Sequence, residues 1–136
     1  MGPIPHRWLR QARADLAAAR DSLAAGHHEW ACFQAQQAAE KALKALLLQQ
    51  GRTTVVTHSL VDLVQEAARY HPSLAGLMEE AKVLDAFYLP TRYPNALVSE
   101  KAPTEYYSRE DAERCLSCAE SILSAATSCF ESYGSS

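Results

Sequence analysis

Apolar side chains recur every three or four residues along most of this chain, the spacing of a helix with one buried face. Between Trp8 and Leu23 that stripe consists of Leu9, Ala12, Leu16, Ala19 and Leu23. Gly26 follows at the position where a left-handed residue commonly ends a helix. A second stripe begins near His28 and continues to Gln50, where Gly51 ends it. Both predicted helices are roughly 30 Å long at 1.5 Å per residue, a length typical of helical bundles.

The middle of the chain predicts shorter elements. Residues 52–57 are polar and β-branched, but no other segment could pair with them as a strand, so we expect a loop. Ser59 followed by Asp62 predicts a capping box that begins a helix. Pro72 suits the first turn of the next helix, which we expect to end before Pro90.

The segment 90–107 contains three prolines and no helical period, which predicts a long irregular loop. Long ordered loops often carry function. Ser108 and Asp111 form a second capping box, and the last helix that it begins has an apolar stripe formed by Ala112, Cys115, Leu116, Ala119, Ile122, Leu123, Ala126 and Phe130. The residues therefore predict an all-α bundle of four or five helices.

Composition supports one small domain. The chain has 136 residues, of which 48% are hydrophobic and only 5 are Gly. We expect a single helical domain over 1–136, with its core at about 7–130 and a frayed tail at 133–136. The net charge of -3 excludes a globally basic nucleic-acid binder, but it allows a local cationic patch. No run of 18 apolar residues is present, so we expect no membrane partner.

The cysteines suggest free thiols and no metal. The first residues lack the apolar run of a secretory signal, which favours a reducing, cytoplasmic location. Cys115 and Cys118 have zinc-like spacing, but both continue a helical period and no second pair accompanies them. We therefore expect Cys115 to fill the core, and we expect neither a metal nor another cofactor.

Helix 2 carries the first candidate binding residues. Gln37, Lys41 and Lys44 are spaced so that they share one helix face, and Glu40 can pair with Lys44. One interpretation is a solvated face held by such ion pairs, each worth only tenths of a kcal/mol. The other is a cationic strip that meets phosphate. The sequence leaves both open.

His58 and the pair Arg92-Tyr93 are the other candidates. His58 stands just before the capping Ser59, where it can either donate to a backbone carbonyl or contact a ligand. Arg92 offers a bidentate fork for phosphate or carboxylate, and Tyr93 can stack on a base. Alternatively, Arg92 caps the carbonyls of the preceding helix while Tyr93 packs over the core.

Four motifs in this order resemble the HEPN family. They are the Gln36–Ala45 stretch, Thr57-His58-Ser59-Leu60, Thr91-Arg92-Tyr93-Pro94 and an acidic, Ala-containing last helix. The resemblance extends from about Arg7 to Phe130. It implies an up-and-down four-helix bundle with a short additional helix, commonly homodimeric. It also implies one of two roles. Some members are metal-independent ribonucleases, and others are associated with nucleotide binding or pair with a nucleotidyltransferase or a chaperone-type domain.

The nuclease members of that family use an Arg-x4-6-His motif near the last helix, and here no His follows Arg92. Arg52…His58 and Arg20…His27 match the bare spacing but lie far from the last helix. We therefore expect a non-catalytic, homodimeric module. It would bind the phosphates of an ATP- or GTP-like nucleotide, or another polyanion, and it could form part of a larger chaperone-like protein.

The expected ligand-binding residues are Lys41, Lys44, His58, Arg92 and Tyr93. Two alternatives remain open. One is a protein–protein scaffold without physiological nucleotide binding, which the aromatic residues Trp8, Trp30, Tyr106 and Tyr107 would favour. The other is a metal-independent ribonuclease with His58 as its general base.

Overall fold

The structure is a computed structural model that describes residues 3–52, 55, 57–92 and 102–133, apart from the side chains of residues 89–92, 103 and 104. Its α-helices are α1 (Pro3–Ala24), α2 (His28–Gln49), α3 (Leu60–Ala68), α4 (Met78–Arg92), α5 (Pro103–Tyr106) and α6 (Arg109–Ser132). A 3-10 turn, Pro72–Leu77, leads into α4. No strand occurs among these residues, which confirms the predicted all-α class.

Helices α1, α2, α4 and α6 form an up-and-down four-helix bundle, with α3 as the short additional helix. Contacts between α1 and α6 show that these two helices are antiparallel, because His6 meets Phe130 and Arg20 meets Glu120. Helix α2 contacts all the other α-helices, and most of its side chains are buried. Its polar residues are therefore placed inside the bundle, where each needs a partner.

The predicted helix ends agree with local backbone chemistry. Gly26 and Gly51 both have φ +85°, a conformation that other residues rarely adopt, and they follow α1 and α2 as expected. Both arms of the capping box predicted at Ser108 and Asp111 are present at the start of α6. At α3 only one arm of the predicted capping box is present: the Ser59 side chain accepts from the Asp62 backbone N–H, whereas the Ser59 N–H donates to Thr57 Oγ1.

The path around Pro90 differs from the prediction. Helix α4 continues through Pro90 to Arg92 instead of ending before it. A proline costs a helix one backbone hydrogen bond, and this cost is smallest near a helix end. Pro72 begins a 3-10 turn and not α4 itself, and the expected irregular segment contains the one-turn helix α5.

Candidate functional site around His58

A line of buried polar side chains runs along one face of α2. Glu29, Gln36 and Glu40 lie within an arc of about 40° around the helix at 100° per residue. Each is less than 9% exposed, as is Lys44 one turn further on. Such groups are costly to bury without partners. The partners of Glu40 and Lys44 therefore identify the chemistry of this face.

The Glu40 carboxylate is the centre of the arrangement. Its Oε2 accepts from Lys44 Nζ at 2.8 Å and lies 3.2 Å from His58 Nδ1, while Oε1 accepts from Gln36 Nε2 at 3.3 Å. The Lys44 ammonium also lies 6.0 Å from the ring centroid of Trp8 on α1. Glu40 is thus a buried carboxylate whose charge is balanced by a buried lysine and which also holds an imidazole.

His58 carries this network to the surface, because 63% of its side chain is exposed. Its ring is stacked on Tyr88 of α4, with centroids 6.1 Å apart and planes 12° apart. Its backbone oxygen accepts from Gln36 Nε2 at 3.3 Å. Since Nδ1 faces Glu40, Nε2 points away from the carboxylate, and it has no hydrogen-bond partner among the described residues. A fixed imidazole with one accessible nitrogen can contact an anion or exchange a proton.

Asp85 of α4 holds the segment that follows His58. Its Oδ1 accepts from the Leu60 N–H at 2.7 Å, and its Oδ2 accepts from the Val61 N–H at 3.1 Å and from the Ser59 hydroxyl at 3.0 Å. A carboxylate at the start of α3 satisfies N–H groups that have no partner within the helix. Asp85 and Tyr88 on α4 therefore position the His58 backbone and ring together.

An aromatic row extends from His58 over Tyr88 of α4 to two rings of α2. Tyr88 lies 6.1 Å from Phe33, and Phe33 lies 6.0 Å from Trp30, measured between ring centroids. Trp30 is 54% exposed, so the end of the row farthest from His58 reaches solvent. Aromatic faces of this kind can stack on bases or line a protein interface.

The two predicted lysines are each committed to an acid within the chain. Lys41 Nζ lies 2.6 Å from Asp15 Oδ2 on α1, so it points toward a different neighbour from Lys44. Lys44 is only 6% exposed, which overturns the expectation that it belongs to a solvated face or an exposed cationic strip. The physical reason is that α2 is surrounded by other helices and the Lys44 ammonium finds Glu40 inside the bundle.

The structure brings His58 and Lys44 together through Glu40, but it describes less of the other predicted residues. Arg92 is the last residue of α4, one turn after Tyr88, and its side chain is outside the described part. Tyr93 lies wholly outside the described residues. Their ligand contacts therefore stay predictions.

Sequence reasoning missed Asp85 and Tyr88, and it considered Glu40 only as a partner of Lys44. A signal for Tyr88 existed, since it stands four residues before Arg92 and so one helical turn away. Asp85 gave no such signal, because its role depends on the packing of α4 against the start of α3.

The accidental Arg-x4-6-His matches do not come together in space. Arg52 is paired with Glu66 at 3.0 Å, and Arg20 lies 3.6 Å from Glu120. The Arg52 guanidinium donates to Glu66 and lowers the pKa of that carboxyl, while His58 contacts Glu40 and Tyr88. Neither arginine thus contacts a histidine within the described residues.

Two further observations concern the cysteines and the character of the helices. All four cysteines are free thiols. Cys115 is fully buried, as expected, and a hydrogen bond with Cys32 together with burial raises its pKa. Within the described ranges no group of three potential metal ligands occurs, and no helix there has the length and apolar character to cross a bilayer.

Residues 5–129 match the sequence model of the HEPN domain. The chain belongs to the HEPN family. This match extends over α1 to α6 and includes His58, its partner Glu40 and Arg92 at the end of α4. The resemblance to the HEPN family that the four sequence motifs indicated is therefore confirmed.

Individual HEPN relatives come from distant organisms. Human sacsin is 32% identical over 120 residues, which cover 86% of this chain but only 3% of sacsin. A protein named "Putative toxin MJ1304" from Methanocaldococcus jannaschii is 31% identical over 123 residues, covering 85% of this chain and 81% of that protein. The crystal structure of TT1696 from Thermus thermophilus is 40% identical with a TM-score of 0.80, and the match covers 94% of this chain and 98% of that one.

Proposed function

We propose that this HEPN chain is a non-catalytic, homodimeric module that binds the phosphates of a nucleotide or a related polyanion, and that it can form part of a larger protein. The observation that carries the proposal is His58, an exposed imidazole fixed by Glu40 and Tyr88. Arg92 ends the same helix that carries Tyr88. The match to a small part of sacsin supports a role within a larger chain.

The proposed contacts divide by chemistry. Arg92 supplies the bidentate fork for phosphate, and His58 Nε2 adds a polar contact. Tyr93 provides a face on which a base can stack. Lys44 acts through Glu40, because it is buried against that carboxylate. Lys41 is partly exposed but paired with Asp15, so it can contact a ligand phosphate only if it gives up that carboxylate.

Calorimetric titration with ATP and GTP tests this assignment. Arg92→Ala and His58→Ala should each weaken or abolish binding while the melting temperature changes little. Arg114→Ala is the control, since Arg114 lies on the exposed surface of α6 and has no ion-pair partner among the described residues. Equal binding by the wild type and Arg92→Ala would refute the site. A strongly destabilised Arg92→Ala protein would indicate that Arg92 caps the helix instead.

Oligomeric state separates this proposal from pure scaffolding. Analytical ultracentrifugation with and without nucleotide should give a dimer in both samples and nucleotide bound to it. A dimer that binds neither ATP nor GTP would favour the interaction-scaffold alternative, in which a larger chaperone-like chain or a nucleotidyltransferase is the partner.

A second candidate, a metal-independent ribonuclease, is favoured by one specific observation. His58 Nδ1 contacts the Glu40 carboxylate, an arrangement that orients an imidazole so that Nε2 can act as a general base. The similarity to MJ1304 also suits this candidate. It predicts cleavage of single-stranded RNA in EDTA that is lost in His58→Ala. An inactive wild type would remove it and leave the binding proposal standing.

A further inference from the structure

Unpaired positive charge is concentrated at one end of the bundle. Among the Lys and Arg side chains that the structure describes, all but four have a carboxylate within ion-pair distance; three of the four lie on α1 and the fourth is Arg114 on α6. Arg7, Arg10 and Arg13 are exposed and have no such partner among the described residues. These three side chains are called the basic face of α1 below. Their isolation distinguishes them from an ordinary solvated helix surface, where charges of both signs alternate.

The basic face is cationic although the protein as a whole is acidic. No Asp or Glu precedes Asp15, whereas the whole chain has a net charge of -3. The three arginines follow one another at intervals of three residues, so they span roughly 9 Å along the helix within an arc of about 120°. Such a segregated field attracts an oppositely charged partner.

A groove lined by both apolar and polar side chains lies directly beside this face. Leu9 and Phe130 line it, together with Arg13 and His6, whose ring stands edge-on to Phe130 at 4.9 Å. Gln49, Glu131 and the partly exposed Tyr133 complete the lining. The surface therefore joins cationic and apolar chemistry at one edge of the bundle.

We propose that the basic face of α1 and this groove form a docking surface for an acidic polypeptide segment that carries an apolar anchor residue. Arginine forks pair bidentately with carboxylates, and the groove beside Arg13 accepts an apolar side chain. A phosphate polymer carries a charge on every unit, so part of it would lie against Glu131, whereas a peptide can place its uncharged apolar residue there and direct its carboxylates to the arginines. Charge complementarity and the apolar floor together favour a protein segment over a phosphate polymer or a lipid surface.

This surface is independent of the His58 site, since no residue is shared between them. Its test uses fluorescence anisotropy with three labelled probes of similar charge: a twelve-residue acidic peptide with a central Trp-Leu pair, the same peptide with Ala at both positions, and a poly-uridine RNA. Vesicles containing phosphatidylserine are tested separately by flotation. The anchored peptide should bind best, and Arg10→Glu should weaken it about tenfold, with a larger loss in the Arg7/Arg10/Arg13→Glu variant.

Arg114→Glu is the matched control, because Arg114 is also exposed and unpaired but lies on α6. It should leave peptide affinity unchanged. Arg10→Gln removes the positive charge without reversing it, and it should also weaken peptide binding. The proposal is overturned if the anchored peptide does not bind or binds equally to the triple variant. It is also overturned if RNA or vesicles bind these arginines more tightly than the anchored peptide does. A wild type that is dimeric and a triple variant that is monomeric would overturn it too, because a second copy of the chain would then occupy the surface.

Discussion

Removing the Glu40 carboxylate tests whether Lys44 is truly buried as an ion. Lys44 is 6% exposed, and Glu40→Ala removes the carboxylate that lies 2.8 Å from its ammonium. Removing one partner of a buried pair typically costs about 3–5 kcal/mol, because the remaining charge has no compensation. For a chain of 136 residues, an unfolding entropy of about 2.1 cal/mol/K per residue converts 4 kcal/mol to a fall in melting temperature of roughly 14 °C.

The assay is urea unfolding followed by circular dichroism, with two comparisons that isolate the effect. Lys41→Ala removes a pair whose side chains are 26% and 17% exposed, so it should cost only about 1 kcal/mol. The double variant Glu40→Leu/Lys44→Met replaces the pair with apolar groups of similar size and should recover most of the stability. If Glu40→Ala costs no more than Lys41→Ala, or if the double variant is worse than the single one, the argument that burial makes this pair costly to break is refuted.

Three other predictions follow from local features. Burial raises the pKa of Tyr107 to about 12 from its ordinary value of 10, so the unfolded chain loses this proton at a lower pH than the folded chain. The free energy of unfolding should therefore fall as the pH rises from 10 to 12. Urea unfolding across that range should show a fall that is about 2 kcal/mol smaller in Tyr107→Phe. Ser108→Ala removes the cap of α6 and should lower the free energy of unfolding by about 1 kcal/mol, whereas an unchanged value would mean that water replaces the cap. Cys32 and Cys115 should resist alkylation in the native protein because both are buried, and because their hydrogen bond and burial together raise the pKa of Cys115. Rapid labelling of Cys115 in the native protein, located by mass spectrometry, would contradict this.

Features that depend on neighbours in sequence were predicted well. The stripe from Leu9 to Leu23, the glycines at 26 and 51 and the capping box at Ser108 each rest on periodicity or on a hydrogen bond within one turn. Pro90 was misjudged because the prediction treated any proline as a helix end. Here the proline stands close enough to the end of α4 for the helix to finish after it.

The candidate site was predicted only in part, because its contacts join distant segments. His58 was selected for its position before Ser59, but its partners Glu40 and Tyr88 lie 18 residues before it and on α4, respectively. The same limit applies to Lys44, whose spacing from Lys41 and Gln37 suggested a shared exposed face. Helical spacing fixes which side chains point the same way, but only the packing of α2 decides whether that direction is solvent or core.

The buried pair of Glu40 and Lys44 is better explained by the positioning of His58 than by stability. Apolar residues of similar volume usually stabilise a core at least as well as a buried ion pair does. Apolar residues at positions 40 and 44 could not accept from the His58 Nδ1 or from the Gln36 amide, which also donates to the His58 backbone. The imidazole would then lose the contact that directs Nε2 outward. The double variant Glu40→Leu/Lys44→Met should therefore keep the fold while weakening any ligand contact made by His58, a combination that separates the two roles of the pair.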